Sequence, residues 1–104
     1  MAKAKSKTAE RAVVICTAKR AVVFGYTSEG ADEIMARGTV SLVRARLCTY
    51  WSKETHGVFG LSNPGPQNGS RIGPRGPKAT LGEITAVLDC SDEATKAWES
   101  EMWT

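Results

Sequence analysis

One histidine and three cysteines bound the reactive chemistry available to this chain. His56 has no second histidine to join it and the sequence contains no C-x-x-C, so a transition-metal site lacks ligands and no cofactor is expected. His56 follows Glu54 closely and lies within a hairpin's reach of Cys48, the smallest arrangement that could make a thiol nucleophile with its base. Strand alternation does not fix whether the two side chains share a face, and no local signature surrounds the cysteine. An exposed turn histidine is the ordinary reading, so catalysis is not expected. Gly69-Ser70-Arg71-Ile72-Gly73 invites comparison with phosphate loops and fails it. A P-loop needs Lys and Ser/Thr at the start of a helix, which Pro74 and Pro77 prevent. Glycine-rich backbone can still present N–H groups to an anion, with Arg71 and Arg75 adding charge.

Binding chemistry is better represented. In the strand-like run Thr39–Trp51, alternation places Arg44, Arg46, Cys48 and Tyr50 on one face and Val43, Ala45, Leu47, Thr49 and Trp51 on the other. Arginines neutralise phosphates and a tyrosine stacks on bases, so the first face suits a nucleic-acid strand. The plain alternative is a solvent face with snorkelling arginines and a rim tyrosine. Val40 and Leu42 are out of phase with Val43 and Leu47, which predicts a bulge near Leu42–Val43. With Arg71, Arg75 and Lys78 from the segment that follows, Arg44, Arg46 and Tyr50 form the expected ligand- or partner-binding set.

That segment, Gly57 to Lys78, holds all four prolines and six of the ten glycines. Missing N–H donors and backbone entropy disfavour regular structure, so a long shaped loop is expected there, stiffened by its prolines, and loops of that kind often bind. Only Gly57–Leu61 reads as a short strand, folding back on Tyr50–Trp51. Upstream, Ala12–Thr17 and Ala21–Tyr26 flank the polar pair Lys19–Arg20 and predict a β-hairpin buried on much of both faces. Residues 27–38 suit a short helix or an ordered loop equally, with Ser28 as a cap and Gly38 as a stop. Thr80–Cys90 reads as the last strand, with Ile84, Ala86, Leu88 and Cys90 on its apolar face. Ser91 then caps a helix over residues 92–102 whose packing face is Ala94, Trp98 and Met102.

Composition bounds the class of protein. A chain of 104 residues with 41% apolar and 24% charged residues suits one domain, here residues 11–104, after a basic tail over residues 1–10 expected to be disordered. The formal charge of +3 is small but unevenly spread: residues 1–53 carry ten Lys/Arg against four Asp/Glu, whereas residues 79–104 carry one against six. Such polarity could steer an anionic partner or let subunits meet head to tail, and self-association would add buried area to a modest core. Three cysteines cannot all pair within one chain and sit in strand-like contexts, as reduced core thiols do. No apolar window approaches the roughly 20 residues that cross a bilayer, so a soluble intracellular protein without a membrane partner is expected.

Several stretches resemble an uncharacterised family of small phage and prophage proteins: Val13–Tyr26, Ala45-Arg46-Leu47-Cys48-Thr49-Tyr50-Trp51, Gly57-Val58-Phe59-Gly60-Leu61, Gly65-Pro66, Arg71-Ile72-Gly73-Pro74, Thr80-Leu81 and Cys90-Ser91-Asp92-Glu93-Ala94. The likeness covers all but the basic tail, with Ala31–Gly38 as a lengthened connection. The resemblance implies a phage-encoded protein in a bacterial cytoplasm and brings no catalytic residues with it. The expected fold is α+β: mainly antiparallel β, as a small curled sheet or partial barrel, with a C-terminal helix and the Gly/Pro loop. The expected function is that of a phage accessory protein binding a host protein or an anionic ligand. Binding of DNA or RNA, or a structural role as a homo-oligomer in phage assembly, are the alternatives.

Overall fold

A computed structural model describes residues 10–18 and 21–100. The expected basic tail before Glu10, the Lys19–Arg20 turn and the last residues of a helix running to 102 lie outside them. Six strands form one mostly antiparallel sheet: β1 (Arg11–Thr17), β2 (Val22–Thr27), β3 (Val40–Tyr50), β4 (Arg71–Ile72), β5 (Gly76–Leu81) and β6 (Ile84–Asp89). Their order is β4-β3-β2-β1-β6, with β5 paired to the first half of β3. Helices α1 (Ala31–Arg37), α2 (Gly57–Ser62) and α3 (Asp92–Trp98), with a 3-10 turn over Lys53–Thr55, complete the α+β architecture that the sequence predicts.

The hairpin of β1 and β2 is central because both its faces are covered. Val13, Ile15 and Val23 pack with Ile34 of α1, Val40 and Leu42 on one side, and Val14, Val22 and Phe24 pack with Leu61 of α2 and Ala94 and Trp98 of α3 on the other. The connection between β5 and β6 shows that the sheet is curled. β5 lies beside β3 and β6 beside β1, yet only Gly82 and Glu83 join them. Three Cα steps span at most about 11 Å, whereas four strand spacings in a flat sheet would require about 19 Å. The open sheet therefore folds over, and the Ile84 N–H reaches the Gly38 carbonyl at 3.3 Å. α1 packs against β6 and buries Ile34 in the cluster that holds Val40 and Ile84, covering that side of the curl. Its N–H cap comes from Glu33, which accepts from Gly30 at 3.1 Å, and Gly38 at φ 82° ends it, so Ser28 is not the cap.

Four local expectations need correction. The irregularity in β3 falls at Arg44, where φ is 52° and the register slips between the Phe24–Arg46 and Tyr26–Val43 pairs. One extra residue reverses the alternation beyond it, so Ala45 and Arg46 are both buried and Leu47 and Thr49 are exposed. Gly57–Leu61 is helical, because His56 and Gly57 turn in the left-handed region and Gly60 packs where a Cβ would stand 1.5 Å from the Thr55 carbonyl. The Gly/Pro segment is no uninterrupted loop: it contains α2, β4 and the start of β5, where Pro77 is tolerated on a strand paired on one side. Thr80–Cys90 is broken at Gly82–Glu83, and a register shift near Thr17 puts Ile84 in one core cluster and Leu88 and Cys90 in the other.

Candidate binding surface

The sequence places six residues in a binding set, and the fold separates them. Arg46 is not a surface residue. It is 0% exposed, with Nε donating to the Gly73 carbonyl and Nη1 to the Trp98 carbonyl, both at 2.9 Å. It thus ties β3 to the loop after β4 and to the end of α3. Arg44 is exposed but engaged: its guanidinium lies 4.3 Å from the Tyr26 ring centroid and donates to Glu10 at 2.6 Å. Arg75 donates to the Glu99 carboxylate at 2.9 Å. Lys78 is exposed on β5 opposite Val43, on a different strand from the others.

Arg71 and Tyr50 remain, and the fold sets them side by side. They are cross-strand partners where β4 joins β3, and Tyr50 is 53% exposed. Among the described arginines, Arg11, Arg37, Arg44 and Arg75 each pair with an acid and Arg46 is buried against two carbonyls. Arg71 is exposed, and its guanidinium has no such protein partner among the described residues. Leu47 is 45% exposed nearby on β3, and Thr49, Tyr50 and Trp51 line a shallow hollow of about 230 Å³. Leu47, Thr49 and Trp51 are missed by sequence reasoning because unbroken alternation assigns them to a buried face. The signal that could have exposed them is the phase error at Val40 and Leu42, followed one residue further.

The frame under this surface is cross-linked by hydrogen bonds. Ser52, Thr55 and Ser70 are buried hydroxyls that bond one another at 3.3 to 3.5 Å. Thr55 Oγ1 accepts from the Gln67 N–H at 3.1 Å, and Ser70 Oγ accepts from the Ser52 N–H at 2.9 Å. Gly65, at φ 90°, lies against α3, where a Cβ would meet that of Ala97 at 2.6 Å. The loop is thereby stitched to the 3-10 turn and to α3, and β4 is delivered to β3 in fixed register.

Among the described residues, no hydrogen bond joins Cys48 to His56. Cys48 is buried, its Sγ directed at the Tyr50 carbonyl at 3.5 Å, whereas His56 is exposed between the 3-10 turn and α2. Burial pushes the Cys48 thiol up to about 11, more than that hydrogen bond draws it down. Cys90 is pushed up to about 12 by burial and by the charge of Asp89. Thiols so displaced stay protonated, which is the opposite of nucleophile activation.

Comparison with known families supplies an assignment at this point. The model described as Domain of unknown function (DUF6948) matches residues 10–98. The chain belongs to this family. No curated protein and no solved structure matches it. The segment shared with DUF6948 includes the whole sheet, all three helices and every residue of the candidate surface. Membership of an uncharacterised family is thus an assignment, and the family's description attaches neither an activity nor a phage origin to these residues. No described helix is long and apolar enough to cross a membrane.

Proposed function

We propose that the chain is a non-catalytic binding protein that takes an acidic segment of a protein partner at the β3–β4 junction. The observation that carries this is the exposed Arg71, without an acidic partner among the described residues, held beside exposed Tyr50 on a hydrogen-bonded frame. Arginine and tyrosine are the residue types enriched where binding energy concentrates, and a pre-shaped surface orders little on association. Leu47 and the hollow at Thr49–Trp51 supply apolar area around the charge. A protein partner is favoured over a nucleic-acid strand because, among the described residues of the expected basic face, Arg44, Arg46 and Arg75 are engaged internally rather than turned to a row of phosphates. In keeping with the family resemblance, the partner is a protein of a bacterial host and the chain acts in the cytoplasm as a phage-encoded accessory. Free Cys16, Cys48 and Cys90 suit that reducing compartment.

The test is fluorescence anisotropy with a short acidic peptide carrying an aromatic residue, and with a single-stranded oligonucleotide, at low and physiological salt. The expected result is peptide binding that weakens about tenfold in the Tyr50→Ala, Arg71→Ala double variant, with unchanged thermal melting. Binding of the oligonucleotide alone, or peptide binding indifferent to both substitutions, would contradict the proposal.

A further inference from the structure

The chain holds two asparagines, Asn63 and Asn68, and the residues that follow them set them apart. Asn63 precedes Pro64, whose ring nitrogen carries no hydrogen and cannot attack a side-chain amide. Asn68 precedes Gly69, which has an N–H and no Cβ to obstruct the approach. Asn68-Gly69 is thus the one asparagine step in the sequence at which the main chain can close on the side chain.

The fold presents both reacting groups. The Ser70 N–H donates to the Gln67 carbonyl at 3.0 Å and closes a turn with Asn68 and Gly69 at its centre. Both central residues are exposed, and among the described residues neither the Asn68 side chain nor the Gly69 N–H has a hydrogen-bond partner. The ends of the turn are pinned instead. Gln67 donates through its N–H to Thr55 Oγ1 at 3.1 Å and through Nε2 to the Gly65 carbonyl at 3.0 Å, and Ser70 Oγ accepts the Ser52 N–H at 2.9 Å. Gly69, at φ 97°, has the positive φ of the third residue in a type II turn. Types I and II differ in the orientation of the central peptide and share the closing hydrogen bond, and glycine adopts either sign of φ. The Asn68–Gly69 peptide can therefore rotate while Gln67 and Ser70 stay in place.

We infer that Asn68 is a site of spontaneous modification, at which the side-chain amide is lost through a cyclic imide to leave aspartate or isoaspartate. The Gly69 nitrogen passes its proton to solvent hydroxide and attacks Asn68 Cγ. That C–N bond forms, the Cγ–Nδ2 bond breaks, and the amide nitrogen leaves as ammonia with a proton taken from water. Water then opens the imide. Attack at Cγ restores the ordinary main chain with aspartate at this position, whereas attack at the Asn68 main-chain carbonyl carbon leaves the chain running through the side chain as isoaspartate. Nothing is oxidised or reduced, and water is the reagent consumed. Either product places a carboxylate three residues before Arg71, and isoaspartate also lengthens the link into β4 by one carbon. The inference does not depend on what binds at the β3–β4 junction.

Peptide mapping of the stored protein tests it. The full wild-type chain is incubated folded at neutral and at mildly alkaline pH, and unfolded in urea as a reference, then cut with trypsin. The fragment spanning residues 54–71 carries both asparagines, and electron-transfer fragmentation locates the change and tells isoaspartate from aspartate. The folded chain is expected to convert at Asn68 to both isomers, faster at the alkaline pH, with Asn63 intact. The conversion is expected to be lost in Asn68→Gln. An Asn68 that stays intact in the folded chain while the urea-unfolded chain converts would overturn the inference, because the turn would then shield it. Aspartate without isoaspartate, or equal conversion at Asn63, would also overturn it.

Discussion

Arg46 shows how one backbone irregularity changes what a residue is for. Its type and its place in an alternating strand make it a binding candidate, yet the positive φ of Arg44 turns it into the core. There it donates to two carbonyls, to that of Trp98 in a buried hydrogen bond and to that of Gly73 in a part-buried one. Arg46→Ala is therefore expected to cost about 3–5 kcal/mol in urea unfolding, with Arg46→Met costing less because it restores volume. Glu99 allows a second prediction at this scale. Burial alone would raise its carboxyl, but the hydrogen bonds from Tyr26 and Arg75 and the charges of Arg75 and Arg46 outweigh that and hold it below its ordinary 4.5. A depressed folded value gives stability that is present above the unfolded pKa and is lost as pH falls through the folded one. Thermal melts from pH 6 downward should thus fall more steeply for the wild type than for Glu99→Gln below about pH 5. The arginine and the glutamate were visible as residues; the bulge that buries one, and the Tyr26 that grips the other from a distant strand, were not.

At the scale of elements, what could be read depended on how local the determinants are. The β1–β2 hairpin follows from two apolar runs around a polar pair, and α3 from Ser91, which accepts the Ala94 N–H at 3.0 Å, and from Ala94 and Trp98, both fully buried. The helix ends at Trp98 rather than extending through residue 100, with Glu99 as its C-cap. α2 was not legible, because Val58 and Phe59 favour strand, while the left-handed pair His56 and Gly57 and the contact of Gly60 with Thr55 belong to tertiary structure. Trp98 joins these elements: it stacks on Phe24 at 5.0 Å and donates through Nε1 to the Leu61 carbonyl at 2.9 Å, and its own carbonyl accepts from Arg46. Trp98→Ala should cost about 3–5 kcal/mol, read as a fall in the urea midpoint, since it opens a cavity and takes the indole donor from the Leu61 carbonyl in α2.

For the whole molecule, the uneven charge seen in the sequence is partly consumed by folding. Arg11, Arg37 and Arg44 of the basic first half meet Asp89, Glu29 and Glu10, and Arg75 of the Gly/Pro segment meets Glu99. The basic–aromatic sheet face expected for a nucleic-acid strand contracts to Tyr50 and Arg71, and the curl of the sheet sets Lys78 on another strand. The fold class was legible because strand runs and the capped helix are written locally. The site was legible only in part, because which arginines are spent on internal pairs depends on contacts between residues far apart in sequence. The most direct measurement is a map of backbone amide shifts on adding the acidic aromatic peptide to isotope-labelled protein. The shifts should concentrate at Leu47–Trp51 and Arg71–Ile72 and disappear with Tyr50→Ala and Arg71→Ala. An unperturbed β3–β4 junction alongside saturable binding elsewhere would contradict it.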